Sequence, residues 1–277
     1  MGWILVAIKL IATDLNGTLL HQDQRFDQDR FKRILMQLKT LSVPVVLSSG
    51  NQYAHLQQLF KNVMSDNLIV VAENGASIYA HDQLIFDGSL SADQQRQFVT
   101  VDRHQPLFKD AYVILVGSHG SYTEVGAPDK LVAMARQFYD NLHLVADLTS
   151  VDDKIKKISV STQPAQAADL VTQANHYFGG QLRAHDSGYG VVDLVDQRVG
   201  KLPAIQFLAA QYGLTAADIM AFGDGANDVP LLQYAAHSYA MINAPAEIQA
   251  TAQHVTTLDN EHDGVLATIE QRVLQSF

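Results

Sequence analysis

The chain has 277 residues, 47% of them hydrophobic, and a net charge of -10 with no long basic block, a balance that excludes both a disordered chain and the electrostatic footprint of a nucleic-acid binder. It has no cysteine, which excludes disulfides, thiolate metal sites and a cysteine nucleophile and fits a reducing compartment. The apolar stretch from Trp3 to Ile8 is too short to span a bilayer and lacks a basic leader, and Val6 breaks the lipidation pattern that would follow Gly2, so a cytoplasmic protein with no membrane partner is expected.

Ala7 to Thr13 reads as a buried strand with one charge, Lys9, and leads into Asp14-Leu15-Asn16-Gly17-Thr18. Phe31, Ile34, Leu35, Leu38 and Leu41 then recur at helical spacing, and Val43 to Leu47 reads as a second strand, completing a βαβ unit. A polar helix from Tyr53 to Val63, a strand from Leu68 to Ala72 and a turn at Glu73-Asn74-Gly75 follow. Between residues 83 and 189 the rhythm changes. Strands at Tyr112 to Val116 and Ile158 to Ser161 mix with helices at Ala127 to Tyr139 and Ala165 to Tyr177, the order of an inserted α+β domain. Val191 to Val195 is then a strand. A helix from Leu202 to Tyr212 follows, with Leu202, Ile205, Leu208 and Ala209 on one face. Ile219 to Phe222 is a strand leading into Gly223-Asp224-Gly225-Ala226-Asn227-Asp228, Tyr239 to Ile242 another strand, and Val265 to Leu274 a closing helix. The expected architecture is α/β: a Rossmann-like doubly wound parallel sheet formed by residues 1–82 and 190–277, with an α+β cap inserted at 83–189.

The two aspartate-rich segments each follow an apolar strand. In an open α/β sheet that is where ligands bind, because the strands deliver their carboxyl ends into a shared crevice. Asp14, Asp224 and Asp228 could meet there, and hard oxygen ligands of this kind suit Mg²⁺. With an acidic chain, a phosphate ligand needs a metal or a lysine. Either segment taken singly reads equally well as turn chemistry. The eleven histidines show no close pair at metal-binding spacing and are assigned no chemistry.

Four stretches extend the pattern: Ser48-Ser49-Gly50-Asn51-Gln52-Tyr53 at the end of the second strand, Lys201, Val71-Ala72-Glu73-Asn74-Gly75-Ala76, and Ser187-Gly188-Tyr189-Gly190-Val191-Val192-Asp193-Leu194. With the aspartate segments they resemble the haloacid dehalogenase-like superfamily of phosphatases over nearly the whole chain, its four motifs falling in order at Asp14, Ser49, Lys201 and Asp224–Asp228. More narrowly they are similar to its Cof-type branch, which carries a large α/β cap and includes sugar-phosphate phosphatases. The resemblance implies Asp14 as nucleophile, Ser49, Gly50 and Lys201 on the phosphate, and Mg²⁺ held by Asp14, the backbone carbonyl of Asn16, Asp224 and Asp228. Asn227 is expected to orient Asp228 or a metal-bound water. Attack by Asp14 would form an aspartyl-phosphate and split one hard displacement into two easier ones. Ser49 and Lys201 would hold the remaining oxygens as charge spreads over them.

One position departs from the family's pattern. Where such phosphatases usually carry an aspartate that protonates the leaving oxygen and then activates water, this chain has Asn16. General acid–base catalysis is typically worth about 10² to 10⁴ in rate, so metal binding and phosphate recognition should survive better than chemistry. Substrates whose leaving group needs little protonation, such as acyl or aryl phosphates, should be favoured, and aspartyl-phosphate should accumulate. Asn16-Gly17 is also a sequence prone to deamidation, which would partly restore aspartate. The leading expectation is a Mg²⁺-dependent hydrolase acting on a small phosphorylated metabolite, with a mobile cap that chooses the substrate and excludes water. A phosphosugar-binding or regulatory protein with little turnover, and a phosphotransferase or mutase, are the alternatives. Tyr122, Glu124, Lys154 and Lys157 are candidate cap contacts, although exposed charge on a sheet surface is the commoner explanation for such residues.

Overall fold

Leu10-Ile11-Ala12-Thr13 and Ile219-Met220-Ala221-Phe222 are apolar at nearly every position, the pattern of parallel strands covered on both faces. In the computed structural model they lie side by side, Leu10 in register with Ile219 and Thr13 with Phe222. The structure describes residues 8–105, 108, 111–137, 139, 141–187 and 190–274. Its strands are β1 (Leu10–Asp14), β2 (Val45–Ser48), β3 (Leu68–Ala72), β4 (Ser77–Ala80), β5 (Gln83–Asp87), β6 (Tyr112–Gly117), β7 (Ser121–Glu124), β8 (Leu142–Val145), β9 (Ile155–Ser161), β10 (Leu182–Asp186), β11 (Val191–Asp196), β12 (Ile219–Gly223), β13 (His237–Ala240) and β14 (His254–Val255). The helices are α1 (Gln28–Thr40), α2 (Tyr53–Phe60), α3 (Ala92–His104), α4 (Asp129–Ala135), α5 (Ala167–Phe178), α6 (Lys201–Tyr212), α7 (Val229–Tyr234), α8 (Ala246–Gln249) and α9 (Gly264–Ile269). The chain divides into two units at Asp87/Gly88 and Val199/Gly200.

The first unit holds an eight-stranded sheet in the order β14-β13-β12-β1-β2-β3-β4-β5. It is parallel from β14 to β3. The Glu73–Gly75 turn then reverses the chain, so β4 and β5 are antiparallel. Alternate strand residues feed two cores. Ile11, Val45, Leu47, Val70 and Phe222 pack with Phe31 and Leu35 of α1, Phe60 of α2 and Ile269 of α9. Leu10, Ala12, Val46, Val71 and Ala221 pack with Ile205 and Leu208 of α6 and Leu231 of α7. Each Val, Leu, Ile or Phe among them contributes about 1.5 to 3 kcal/mol on full burial, which is why the central strands carry almost no polar residue. The sequence runs outward from β1 through β2 and β3 on one side and from β12 through β13 and β14 on the other. The strand order therefore reverses between β1 and β12, the switch point where such sheets open a crevice.

The second unit, Gly88–Val199, holds a six-stranded sheet in the order β10-β11-β9-β6-β7-β8. It is antiparallel apart from the β7–β8 pair. On one face Phe98 and Val99 of α3 and Leu170 and Phe178 of α5 pack with Val113, Leu115, Ile158, Val160, Val192 and Leu194. On the other, Val132 and Ala135 of α4 pack with Tyr112, Ile114 and Val116.

Both boundaries of the insert differ from expectation. Val191–Asp196 pairs antiparallel with β9 and β10 rather than resuming the parallel core, so the insert ends at Val199 and not at 189. At the other end Gln83–Asp87 forms a tight hairpin with β4 and stays with the first unit, so the insert begins at Gly88 and not at 83. Neither outcome shows in periodicity, since a strand's own pattern does not name its partner. Helix α3 has no expected counterpart: Gln and Asp dilute its apolar stripe, and the legible signal was the capping box of Ser91 and Gln94 that starts it. The expected helix from Ala127 to Tyr139 shortens to α4. Trp3 to Ala7, Phe138, Gly188 and Tyr189 lie outside the described residues. Among those described, no helix is long and apolar enough to cross a membrane.

Candidate active site

Both aspartate-rich segments emerge at the switch point of the first unit. Asp14 ends β1, and Asp224 and Asp228 lie in the loop that follows β12. The three residues present carboxylate oxygens that all lie within 4.8 Å of one another. Lys201 opens α6 and is buried, with its Nζ donating to Asp14 Oδ1 and, at 2.7 Å, to Asp228 Oδ1. Asp228 is also buried, and its Oδ2 accepts the backbone N–H groups of Asp224 at 3.1 Å and Gly225 at 3.0 Å. Thr18, a residue to which the sequence assigned no role, donates from Oγ1 to Asp224 Oδ1 at 2.7 Å. Gly17 explains itself here. It sits at φ +74°, and a β-carbon would collide with the Asp224 carboxylate.

The charges are unbalanced. Burial pushes the Asp14 carboxyl up to about 7, Lys201 opposes the shift and Asp228 adds to it. Burial likewise raises Asp224. Burial works against the Lys201 charge as well, but Asp14 and Asp228 outweigh it and hold the ammonium above its ordinary range. Three carboxylates thus share one lysine in a poorly hydrated crevice, and a further cation would relieve them. The donor set fits Mg²⁺, which takes hard carboxylate oxygens. Ser48, in register with Asp14, has a buried Oγ without a partner among the described residues, in keeping with a site whose hydrogen bonding a bound group completes.

Ser49 and Gly50 follow Ser48 at the end of β2, next to β1 in the sheet. Ser49 is buried, its N–H donates to the Val71 carbonyl at 2.9 Å, and its Oγ accepts the Asn51 N–H at 3.1 Å. Asn16 is exposed, and its Oδ1 accepts from Gln24 Nε2 at 3.0 Å. Gln24 has no sequence signal of its own. Asn227 Nδ2 donates to Asn74 Oδ1 at 3.3 Å, while Asp228 is held by Lys201 and two backbone N–H groups.

Three of the candidate cap contacts have partners within their own unit. Tyr122 donates to Asp153 Oδ2 at 3.0 Å, Glu124 pairs with Arg103, and Lys157 pairs with Asp193 at 2.8 Å.

A family model described as haloacid dehalogenase-like hydrolase matches residues 11–269. The chain is 28% identical over 266 residues to the 5-amino-6-(5-phospho-D-ribitylamino)uracil phosphatase YbjI of Escherichia coli, covering 96% of each protein. It is also 28% identical to a phosphoglycolate phosphatase of Halobacterium salinarum, over 94% of this chain and 96% of that one. Among solved structures, SMU.1108c from Streptococcus mutans superposes with a TM-score of 0.82 at 29% identity, over 97% of this chain and 100% of that one.

Proposed function

The chain belongs to the haloacid dehalogenase-like hydrolases and is a phosphatase of small phosphorylated substrates, and from that premise we propose that it hydrolyses phosphomonoesters at Asp14, with Mg²⁺ as cofactor and sugar phosphates as the leading substrate class. The observation that carries the proposal is the meeting of Asp14, Asp224 and Asp228 around Lys201 at the switch point of the sheet. Asp14, Asp224, Asp228 and the Asn16 carbonyl would hold Mg²⁺, which when bound supplies the positive charge that three crowded carboxylates and an incoming phosphate dianion lack.

Asp14 is the nucleophile. Its attack on phosphorus forms the aspartyl-phosphate while the bond to the leaving oxygen breaks. Lys201, fixed by its two aspartate partners, and Ser49 with Gly50 hold the other phosphoryl oxygens. Asn16 can donate a hydrogen bond to the leaving oxygen but cannot give up a proton. Its Oδ1 is engaged by Gln24, which turns the amide's donor end to other partners. Turnover is accordingly slow for alkoxide leaving groups and faster for aryl or acyl phosphates. To the unit Gly88–Val199 we assign the choice of substrate, a division supported by its separate sheet and core.

The amide at position 16 also favours a second reading, a phosphosugar-binding protein with little turnover. A panel of phosphate esters, assayed with Mg²⁺ and with EDTA on the wild type and on Asn16→Asp, separates the two. Mg²⁺-dependent release of phosphate supports the hydrolase, and a burst in single turnover supports the covalent intermediate. Tight calorimetric binding with no release by the wild type supports the binder.

A further inference from the structure

Glu73, Asn74 and Gly75 form a turn whose three residues all have positive φ, +55°, +55° and +101°. Two consecutive non-glycine residues in that region are strained, and such strain persists only where the surrounding structure over-determines it. Here the surroundings are the candidate site. The Asn74 N–H donates to the Ser49 carbonyl at 2.8 Å, and the Glu73 N–H to the Asn51 carbonyl at 3.0 Å. Gly75 lies so close to Gly200, the residue before Lys201, that a β-carbon would strike the Gly200 backbone. Asn74 Nδ2 lies 3.2 Å from the place a β-carbon would take at Gly50. Its Oδ1 accepts from Asn227 in the loop of Asp224 and Asp228. One side chain thereby touches the loop after β2 and the loop after β12.

The carbonyl end of that amide is engaged, while its Nδ2 has no acceptor among the described residues. We infer that Asn74 is a phosphate-binding residue, its side-chain NH₂ donating to a phosphoryl oxygen seated between the Ser49–Gly50 loop and the Asp224–Asp228 loop. The inference rests on the phosphatase reading of the site and adds a contact to it. Asn227 is then a positioning residue that keeps the carbonyl of Asn74 turned away from the anion.

Asn74→Gly separates a ligand contact from a backbone role, because glycine adopts the positive φ without strain while losing the amide. Asn74→Asp keeps an acceptor for Asn227 and replaces the donor with a negative charge. The measurement is competitive inhibition by inorganic phosphate of p-nitrophenyl phosphate hydrolysis with Mg²⁺, alongside thermal unfolding of each variant. The expected result is an inhibition constant for phosphate raised about 10-fold in Asn74→Gly, as for loss of a hydrogen bond to a charged group, and raised further in Asn74→Asp, with unfolding temperatures close to that of the wild type. An active wild type whose Asn74→Gly variant binds phosphate equally well would overturn the inference alone. A wild type that neither hydrolyses phosphate esters nor binds inorganic phosphate would overturn the reading of the site together with it.

Discussion

Asp193 and Asp14 are each buried against a lysine, and the two places are built to opposite ends. In the second unit Asp193 accepts from Lys157 at 2.8 Å, Ser159 at 2.5 Å and Ser187 at 2.8 Å. Burial opposes its charge, yet Lys157 and the two hydroxyls prevail and hold its carboxyl below the usual range. In the first unit Lys201 serves both Asp14 and Asp228 with Asp224 close by, and Asp14 is left raised to about 7. Burial opposes the charge in both places, and Asp193, with its side chain 3% exposed, is no less enclosed than Asp14 at 12%. The supply of positive charge distinguishes them. A carboxylate whose donors match its charge is structural, whereas a cluster short of positive charge stores a demand that a cation and a phosphate site can use.

The contrast is broken most severely at the proposed nucleophile. Asp14→Asn should abolish phosphate release, by on the order of 10⁴-fold or more, while leaving the protein folded, because it removes one of three crowded charges. A phosphate-release assay beside a thermal melt checks both halves, and substantial residual activity would remove Asp14 from its assigned role. Next in size is Asn16→Asp, expected to raise turnover of a hexose phosphate by about 10² to 10⁴ while changing an aryl phosphate much less. A flat response across both substrates would mean that another residue supplies the proton.

The structural pair should respond in the reverse sense. Lys157→Met strands a buried carboxylate and should destabilise the fold by about 3 to 5 kcal/mol, read from urea unfolding, with no loss of chemistry at the site beyond what unfolding explains. The smallest expected effect is in the pH dependence of stability. Asp14 has a folded pKa of about 7, above its ordinary 3.8, so the native state binds more protons than the unfolded chain between these values. The contribution of Asp14 to the stability of the Mg²⁺-free protein should therefore be lost as pH rises from about 4 to 7. Saturating Mg²⁺, or the Asp14→Asn change, should flatten that slope. Asp193 acts with the opposite sign: its lowered pKa contributes stability above about pH 4 that is lost as pH falls through the folded value. Melting curves across pH, with Mg²⁺ and with EDTA, would resolve the two. An unchanged slope on adding the ion would count against a metal at this cluster.

Much of the core was legible in the sequence because its central strands β1, β2, β3 and β12 are almost wholly apolar and lead into polar residues. Asp14, Asp224 and Asp228 could be picked out because residue type and position at a strand end already carry the chemistry, whereas Lys201 came only from the resemblance. Hydrogen bonds made by residues without such a marker were not legible. Gln24 on Asn16, Thr18 on Asp224 and Asn227 on Asn74 join segments whose spacing says nothing of their proximity. Helix α3 stayed hidden because its polar stretch lacks a stripe, and β11 was assigned to the wrong sheet because a strand's alternation reports its faces and not its neighbours.

By itself, then, the sequence determined the parallel α/β core, the existence of an insert and the identity of the acidic groups, since hydrophobic period and side-chain chemistry are local properties of a chain. Only the tertiary structure decided where the insert begins and ends, that three carboxylates share one lysine, and that a strained turn brings Asn74 against two loops. Those depend on strand pairing and desolvation, which arise between residues as far apart as Asp14 and Lys201 and have no local signature.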